Sequence, residues 1–118
     1  MSDAFGDSGN YQVSAGKVAA SAGTLTTNDG SASIADNGTG DFTITFGHAF
    51  LSAPFVTANI VDPTDSTDAA HSVAIAAVTA TDVQFNVKTT VTNGTATDIV
   101  SALADVDFHY MAIGKRDR

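Results

Sequence analysis

The chain is expected to be all-β, an antiparallel β-sandwich of about six to seven strands, and three observations predict this. Every acidic residue is Asp, with no Glu in 118 residues, and Leu, Lys and Gln are scarce beside Thr, Val, Ala, Gly and Asp. Thr, Val, Ile and Phe suit a pleated strand and Asp, Gly and Asn suit turns, whereas the scarce residues are helix formers. Turn signals recur from Lys17 onward at the spacing of about 8–12 residues that marks a sandwich or barrel. In "DFTITF", Phe42, Ile44 and Phe46 alternate with Asp41, Thr43 and Thr45, which gives one apolar and one polar face. Strands of this kind bury the apolar face against a second sheet.

Residues 1–16 hold Gly, Ser, Asp and Ala with two isolated aromatics, Phe5 and Tyr11, and show no period. They read as an N-terminal arm or linker: either a frayed end, or a segment that orders on a partner with Phe5 and Tyr11 as anchors. The sandwich domain is expected over 17–114, followed by a basic tail at 115–118. "KVAAS" and "TLTT" lead to Asp29-Gly30, a hairpin signal, and then to "SASIAD". "NGTG" closes that segment before "DFTITF". The connection that follows keeps Phe46 and Phe50, which are expected to tuck it against the open end of the sandwich. Pro54 then fixes its own φ and restricts Ala53, launching "FVTANIVD" in an extended direction with Val56, Ala58 and Ile60 on one side.

"SVAIAAVTA" and "DVQFNVKTTV" are two further strands joined around Thr81-Asp82, and Asn93-Gly94 marks a tight turn. "TDIVSALA", Thr97 to Ala104, fits either a short strand or one helical turn. In the closing "DVDFHYMAIG", Val106, Phe108, Tyr110 and Ala112 share one face, and Asp107, His109, Met111 and Ile113 share the other. No repeat of the solenoid or propeller kind is present.

Size and charge narrow the function. A chain this short forms one domain, and an Ala-rich core without cysteine makes oligomerisation a reasonable source of stability. The net charge is −8, and Lys17 and Lys88 are the only basic residues before the final "KRDR". Such a surface repels phosphate, so no nucleic-acid partner and no anionic membrane are expected. No apolar run approaches the ~20 residues of a membrane span, and acids stand where a secretory signal needs basic and apolar residues. The tail residues Lys115, Arg116 and Arg118 read as solvated, or as a contact for an acidic patch on a neighbour.

Candidate chemistry is sparse. Asp62, Asp65 and Asp68 lack the Gly and Glu of a calcium loop and read as a solvated connection. His48, His71 and His109 are far apart and have no Cys or Glu at ligand spacing, so no metal site is expected. No G-x-S-x-G turn is present, and no helix follows the glycines of "GTGDF" to hold a phosphate. The expectation is a protein that is not an enzyme, with no catalytic residues and no cofactor.

The run Phe46-x3-Phe50-x3-Pro54-x-Val56 resembles the first signature of H-type lectin domains. "VAIAAVTATDVQFNV" resembles that family's strand, short turn and strand ending in an aromatic, here Phe85. "VDFHYMAIG", with Tyr110 before Ala112, Ile113 and Gly114, resembles its closing strand. The resemblance runs from about Asp41 to Gly114. The same pattern is similar to C-terminal domains of tailed-phage fibre and head-surface proteins, which the Ala/Thr/Gly/Asp bias and the abrupt "GKRDR" end favour.

The resemblance implies a six-stranded H-type lectin-like sandwich, a homotrimer, and a place on the virion surface. Its partners would be other copies and virion proteins such as the major capsid or a tail protein. It also implies, as an alternative, a carbohydrate-binding module for a host-surface glycan. That family's N-acetylgalactosamine site uses an Arg, an Asp and an aromatic, often Trp; here the closing strand offers Asp107, His109 and Tyr110. The sequence departs from the pattern in having no Trp and no Arg before Arg116.

Overall fold

The computed structural model describes residues 10–61, 69–92 and 99–117. Phe5, the acidic connection with Asp62, Asp65 and Asp68, the turn at Asn93 and the terminal Arg118 lie outside the described residues. Among the described residues nine strands follow one another: β1 (Tyr11–Ala19), β2 (Thr24–Asp29), β3 (Ser33–Gly38), β4 (Asp41–Thr45), β5 (Phe55–Ile60), β6 (Ala69–Val78), β7 (Asp82–Thr92), β8 (Ile99–Leu103) and β9 (Phe108–Lys115). All pair antiparallel, and the described residues contain no α-helix. The first sheet has the order β2-β1-β9-β5. The second runs β3-β4-β7-β6, with β8 also on β7.

The expected all-β class holds, but nine strands replace six to seven. One reason lies at the N-terminus, where residues 11–16 were expected in the arm. They form the first part of β1, paired with β9 from Tyr11↔Lys115 to Val18↔Phe108. Their core-facing positions are Ser14 and Gly16, too small and polar to show a hydrophobic period. Gly16 is required by a close approach: a Cβ there would stand 2.5 Å from the Thr27 carbonyl oxygen and 3.1 Å from the Tyr110 ring. At the other end, Lys115 is the last residue of β9 and Arg116 bridges Phe50, so this part of the basic tail is held in place.

Asp29-Gly30 is not a hairpin. The β1–β2 hairpin turns earlier, through Ala19 to Gly23, with the Gly23 amide donating to the Ala19 carbonyl at 2.9 Å. Asp29-Gly30 instead begins a corner that carries the chain from the first sheet to the second. Gly30 and Ser31 both take positive φ there (107° and 59°). The Asn28 amide clamps the corner: its Nδ2 donates to the Ala32 carbonyl at 2.6 Å, and its Oδ1 accepts from the Ala32 amide at 3.0 Å. "TDIVSALA" resolves in favour of the strand, since Ile99–Leu103 pairs with β7.

The core lies between the sheets and follows the alternation. Phe42, Ile44, Val83, Phe85 and Val87 face inward from the second sheet; Val18, Phe108, Tyr110 and Ala112 face inward from the first. The rings of Phe42 and Phe85 meet Phe108 with centroids 6.0 Å and 5.1 Å away, in the tilted arrangements that aromatic quadrupoles favour. Val56, Ala58 and Ile60 pack against this core from β5, as their spacing requires.

The connection from β4 to β5 does close one end. Phe46 and Phe50 are buried and touch edge to face, with centroids 4.9 Å apart. The backbone is fastened across the end of the sandwich: the Phe46 and Phe50 amides donate to the Thr81 and Ala80 carbonyls (2.9 and 2.8 Å), and the Leu51 amide to Lys115 (2.9 Å). Pro54 is buried, and β5 starts directly after it.

The opposite end is drawn out. The molecule extends 61 × 29 × 22 Å with a radius of gyration of 16.5 Å, against about 13–14 Å for an ordinary domain of this length. β7 explains much of this. Its buried residues stop at Val87, and beyond that its described side chains are only half-buried or exposed. There β7 pairs with β6 on one side and β8 on the other. Cross-strand polar pairs tie this extension together: His71 Nδ1 lies 2.7 Å from Thr89 Oγ1, and Thr90 Oγ1 donates to Ser101 Oγ at 3.2 Å.

Candidate functional surfaces

The closing-strand residues Asp107, His109 and Tyr110 do not form one site. Asp107 ends a loop: its Oδ1 accepts from the Ala20 amide at 2.9 Å, and its carbonyl accepts from the Val61 amide at 2.9 Å. That fastens the β1–β2 turn and the end of β5. His109 is exposed on the outer side of β9, opposite Lys17 and Asn59. Tyr110 points the other way. It is 3% exposed, its ring lies 5.9 Å from Phe85, and its hydroxyl lies 2.9 Å from Ser14 Oγ. Adjacent residues on a strand point to opposite faces, so the Tyr110 ring cannot serve as an exposed stacking platform. His109 and Tyr110 both border one shallow depression of about 260 Å³ beside Gly16, with Lys17, Thr27 and Asp29; Asp107 is not among its lining residues.

Burial pushes the Tyr110 phenol above its ordinary pKa of 10.0, and the negative charge of Asp29 adds to this, while the Ser14 hydrogen bond works against it. A raised folded pKa means that the neutral phenol's contribution is complete below about pH 10. It is lost as pH climbs through the folded value. Tyr110→Phe should therefore flatten the alkaline limb of a stability–pH profile followed by urea midpoint. At neutral pH it should cost about 1–2 kcal/mol, because the buried Ser14 hydroxyl loses its partner.

Tyr11, expected as an arm anchor, is a half-buried residue of β1 opposite Lys115. Its carbonyl accepts from the Arg116 guanidinium at 3.4 Å. Nearby, Gln12, Gly47, His48, Ala49, Arg116 and Asp117 line an open polar depression of about 760 Å³. The Gln12 Nε2 spans one wall, donating to the carbonyls of His48 (2.7 Å) and Ala49 (3.3 Å). Among the described residues no three His, Cys, Asp or Glu side chains gather as a metal-binding group would.

The clearest feature is an asymmetry between the two outer faces. On the second sheet the outward positions of β4 and the adjoining part of β7 are Asp41, Thr43, Thr45, Asp82, Gln84 and Asn86, a polar surface. On the first sheet, register sets Val13, Ile113 and Phe55 in one row across β1, β9 and β5; Ala15, Met111 and Thr57 form the next. Val13, Met111 and Ile113 are exposed, and Phe55 is 83% exposed. Leu51 is exposed at the margin, beside Lys115. Sequence reasoning placed Met111 and Ile113 opposite the core face without drawing the consequence. The signal was there: a strand with apolar residues on both faces has a second surface to cover.

Comparison with known proteins brings no match. No family model, no curated protein and no solved structure matches the chain. Functional interpretation therefore rests on the molecule's own surfaces and on the motifs already described.

Proposed function

We propose that this chain is a non-enzymatic structural protein of a tailed-phage virion. In this reading it is an H-type lectin-like sandwich that decorates the head or forms a short fibre or knob as a homotrimer on the virion surface. Its work is adhesion through protein–protein contacts. The observation that carries the adhesive part is the apolar outer face of the first sheet, on a chain whose net charge is −8. Contiguous exposed apolar patches mark interaction surfaces. The viral part rests on the ordered motifs Phe46-x3-Phe50-x3-Pro54-x-Val56, "VAIAAVTATDVQFNV" and "VDFHYMAIG". The buried, edge-to-face Phe46 and Phe50 suit the first of these as a fold signature.

The test is co-sedimentation of the purified chain with particles assembled from the capsid or tail gene that neighbours its own. Saturable binding is the expected result. Deleting residues 1–9, which precede β1, should abolish attachment and leave a folded oligomer if that segment grips the shell. An absence of binding to any neighbouring virion protein would overturn the reading.

A carbohydrate-binding module is the second reading, favoured by the depression that His109 and Tyr110 share with Lys17, Thr27 and Asp29. It supplies polar groups for hydroxyls, with little exposed aromatic face. A saturable glycan-array signal lost in His109→Ala or Asp29→Ala would favour it over the first.

A further inference from the structure

We infer that the outer face of the β2-β1-β9-β5 sheet is where copies of this chain meet, each contributing this face to the shared contact. The inference deepens the homo-oligomer part of the proposed function and rests on it. Three observations support it.

The chemistry of the face is that of an interface core. Val13, Phe55, Met111, Ile113 and Leu51 are exposed together, and the smaller Ala15 and Thr57 complete the two rows. Aromatic residues and Met are enriched in the centres of protein interfaces, where charged residues are depleted. On the second sheet the outward positions of β4 and the adjoining part of β7 present Thr, Asn, Gln and Asp, and its exposed large apolar residues, Ile75, Val100 and Leu103, lie on β6 and β8 rather than in one row.

Area fits a shared contact. Strands β1, β9 and β5 lie side by side over roughly 15 Å, and the face runs about 25 Å along β9. That footprint is about 375 Å², roughly half of the ~800 Å² that each partner contributes to a standard interface, so it serves as the apolar centre of a contact whose rim includes β2 and the margin at Leu51. Val13, Ile113 and Phe55 form one continuous row across that area, with Met111 in the next row and Leu51 at the margin.

Charge selects a copy of the same chain as the occupant. The protein as a whole is at −8, so copies repel one another over most approaches. Of the seven described Asp residues, at 29, 36, 41, 82, 105, 107 and 117, Asp29 is the one that stands within the paired strands of this face, through its pairing with Ala15. Lys17 and Lys115 stand on the same face. Among the described residues the charges within this face are therefore mixed in sign, Lys17 and Lys115 against Asp29, which lets one copy's lysines meet another's carboxylate. Burial there also adds to a core built partly from small residues, among them Ala20, Ala32 and Ala112.

The experiment is light scattering coupled to gel filtration over a range of concentrations on the full chain. The unchanged chain should show a multiple of 12.0 kDa. Phe55→Asp should bring the mass down to one chain, Phe55→Ser should weaken assembly by at least about tenfold, and Thr45→Asp, on the outer face of the second sheet, should leave the mass unchanged. Phe55 is 83% exposed, so both of its variants should keep the β-sheet circular dichroism spectrum. A single-chain mass at every concentration would overturn the inference. So would an unchanged oligomer in folded Phe55→Asp and Phe55→Ser. A dimeric mass lost in Phe55→Asp would uphold the contact and overturn the trimer. An oligomer lost in Phe55→Asp that never binds virion particles would uphold the contact and overturn the viral reading. A monomer that binds particles would do the reverse.

Discussion

Phe50→Ala is expected to destabilise the protein by about 3–5 kcal/mol, seen as a fall in the urea midpoint with little change in slope. Phe50 is only 1% exposed although it stands in a connection between strands. Its ring meets Phe46 at 4.9 Å, and a Cβ built on Gly114 would lie 3.0 Å from its Cδ2. Ring, glycine and the buried Pro54 therefore form one packed plug at the end of the sandwich. Removing the ring leaves a cavity that the surrounding backbone cannot easily collapse, because hydrogen bonds from Phe50 and Leu51 to Ala80 and Lys115 hold it in place. A typical domain has only about 5–15 kcal/mol of total stability, so the variant should be close to unfolding at elevated temperature. Phe55→Ala, five residues away and exposed, should stay within about 0.5 kcal/mol of the unchanged protein when both are compared as single chains. Equal losses in the two variants would refute the division of the aromatics into plug and surface.

Gly40→Ala should cost roughly 3 kcal/mol, with its damage concentrated in β8. Gly40 has φ of +66° and sits where β4 ends and β8 begins along the same side of β7. A Cβ there would stand 2.5 Å from the Val87 carbonyl oxygen, 2.8 Å from the Ala104 nitrogen and 2.9 Å from its oxygen. All three are backbone atoms, so no side chain can swing away. The junction also concentrates hydrogen bonds: Val87 amide to Gly40 carbonyl at 2.8 Å, Ala104 amide to Val87 carbonyl at 3.0 Å, and Gly40 amide to Asp105 Oδ1 at 2.8 Å. Forcing the strands apart breaks this set. Hydrogen exchange should show β8 amides losing protection well before those of β9. Uniform loss across both sheets would argue that the junction does not set the stability of the extension.

Alternation makes much of the fold legible in the sequence. "DFTITF" and "VDFHYMAI" each pair one large inward residue with one outward residue, and the structure follows both. The Phe46 and Phe50 plug was legible too, because large apolar residues in a connection need something to cover them. The first part of β1 was hidden because its inward positions hold Ser14 and Gly16, chosen to fit the Tyr110 ring rather than to be hydrophobic. Asp29-Gly30 announces a change of direction but not whether the chain returns along its own sheet or crosses to the other. "DIVSAL" is too short for its period to separate strand from helix.

The candidate site shows the same limits. That His109 and Tyr110 point to opposite faces was readable from their adjacency, and it weakens any site needing both exposed. The apolar outer face needed one thing a single sequence does not display. Val13, Ile113 and Phe55 are far apart in the chain and become neighbours only through strand register.

The pairing of β1 with β9 also has a consequence for synthesis. β1 takes up residues 11–19, yet its partner spans 108–115. The strands of the second sheet lie within residues 33–103, so they can associate on the emerging chain while β1 still waits. The first sheet closes only once β9 has left the ribosome, and the row Val13–Ile113–Phe55 does not exist before then. A surface assembled from such distant segments acts as a timer. Neighbouring nascent chains cannot meet through this row until each has placed β9 between β1 and β5.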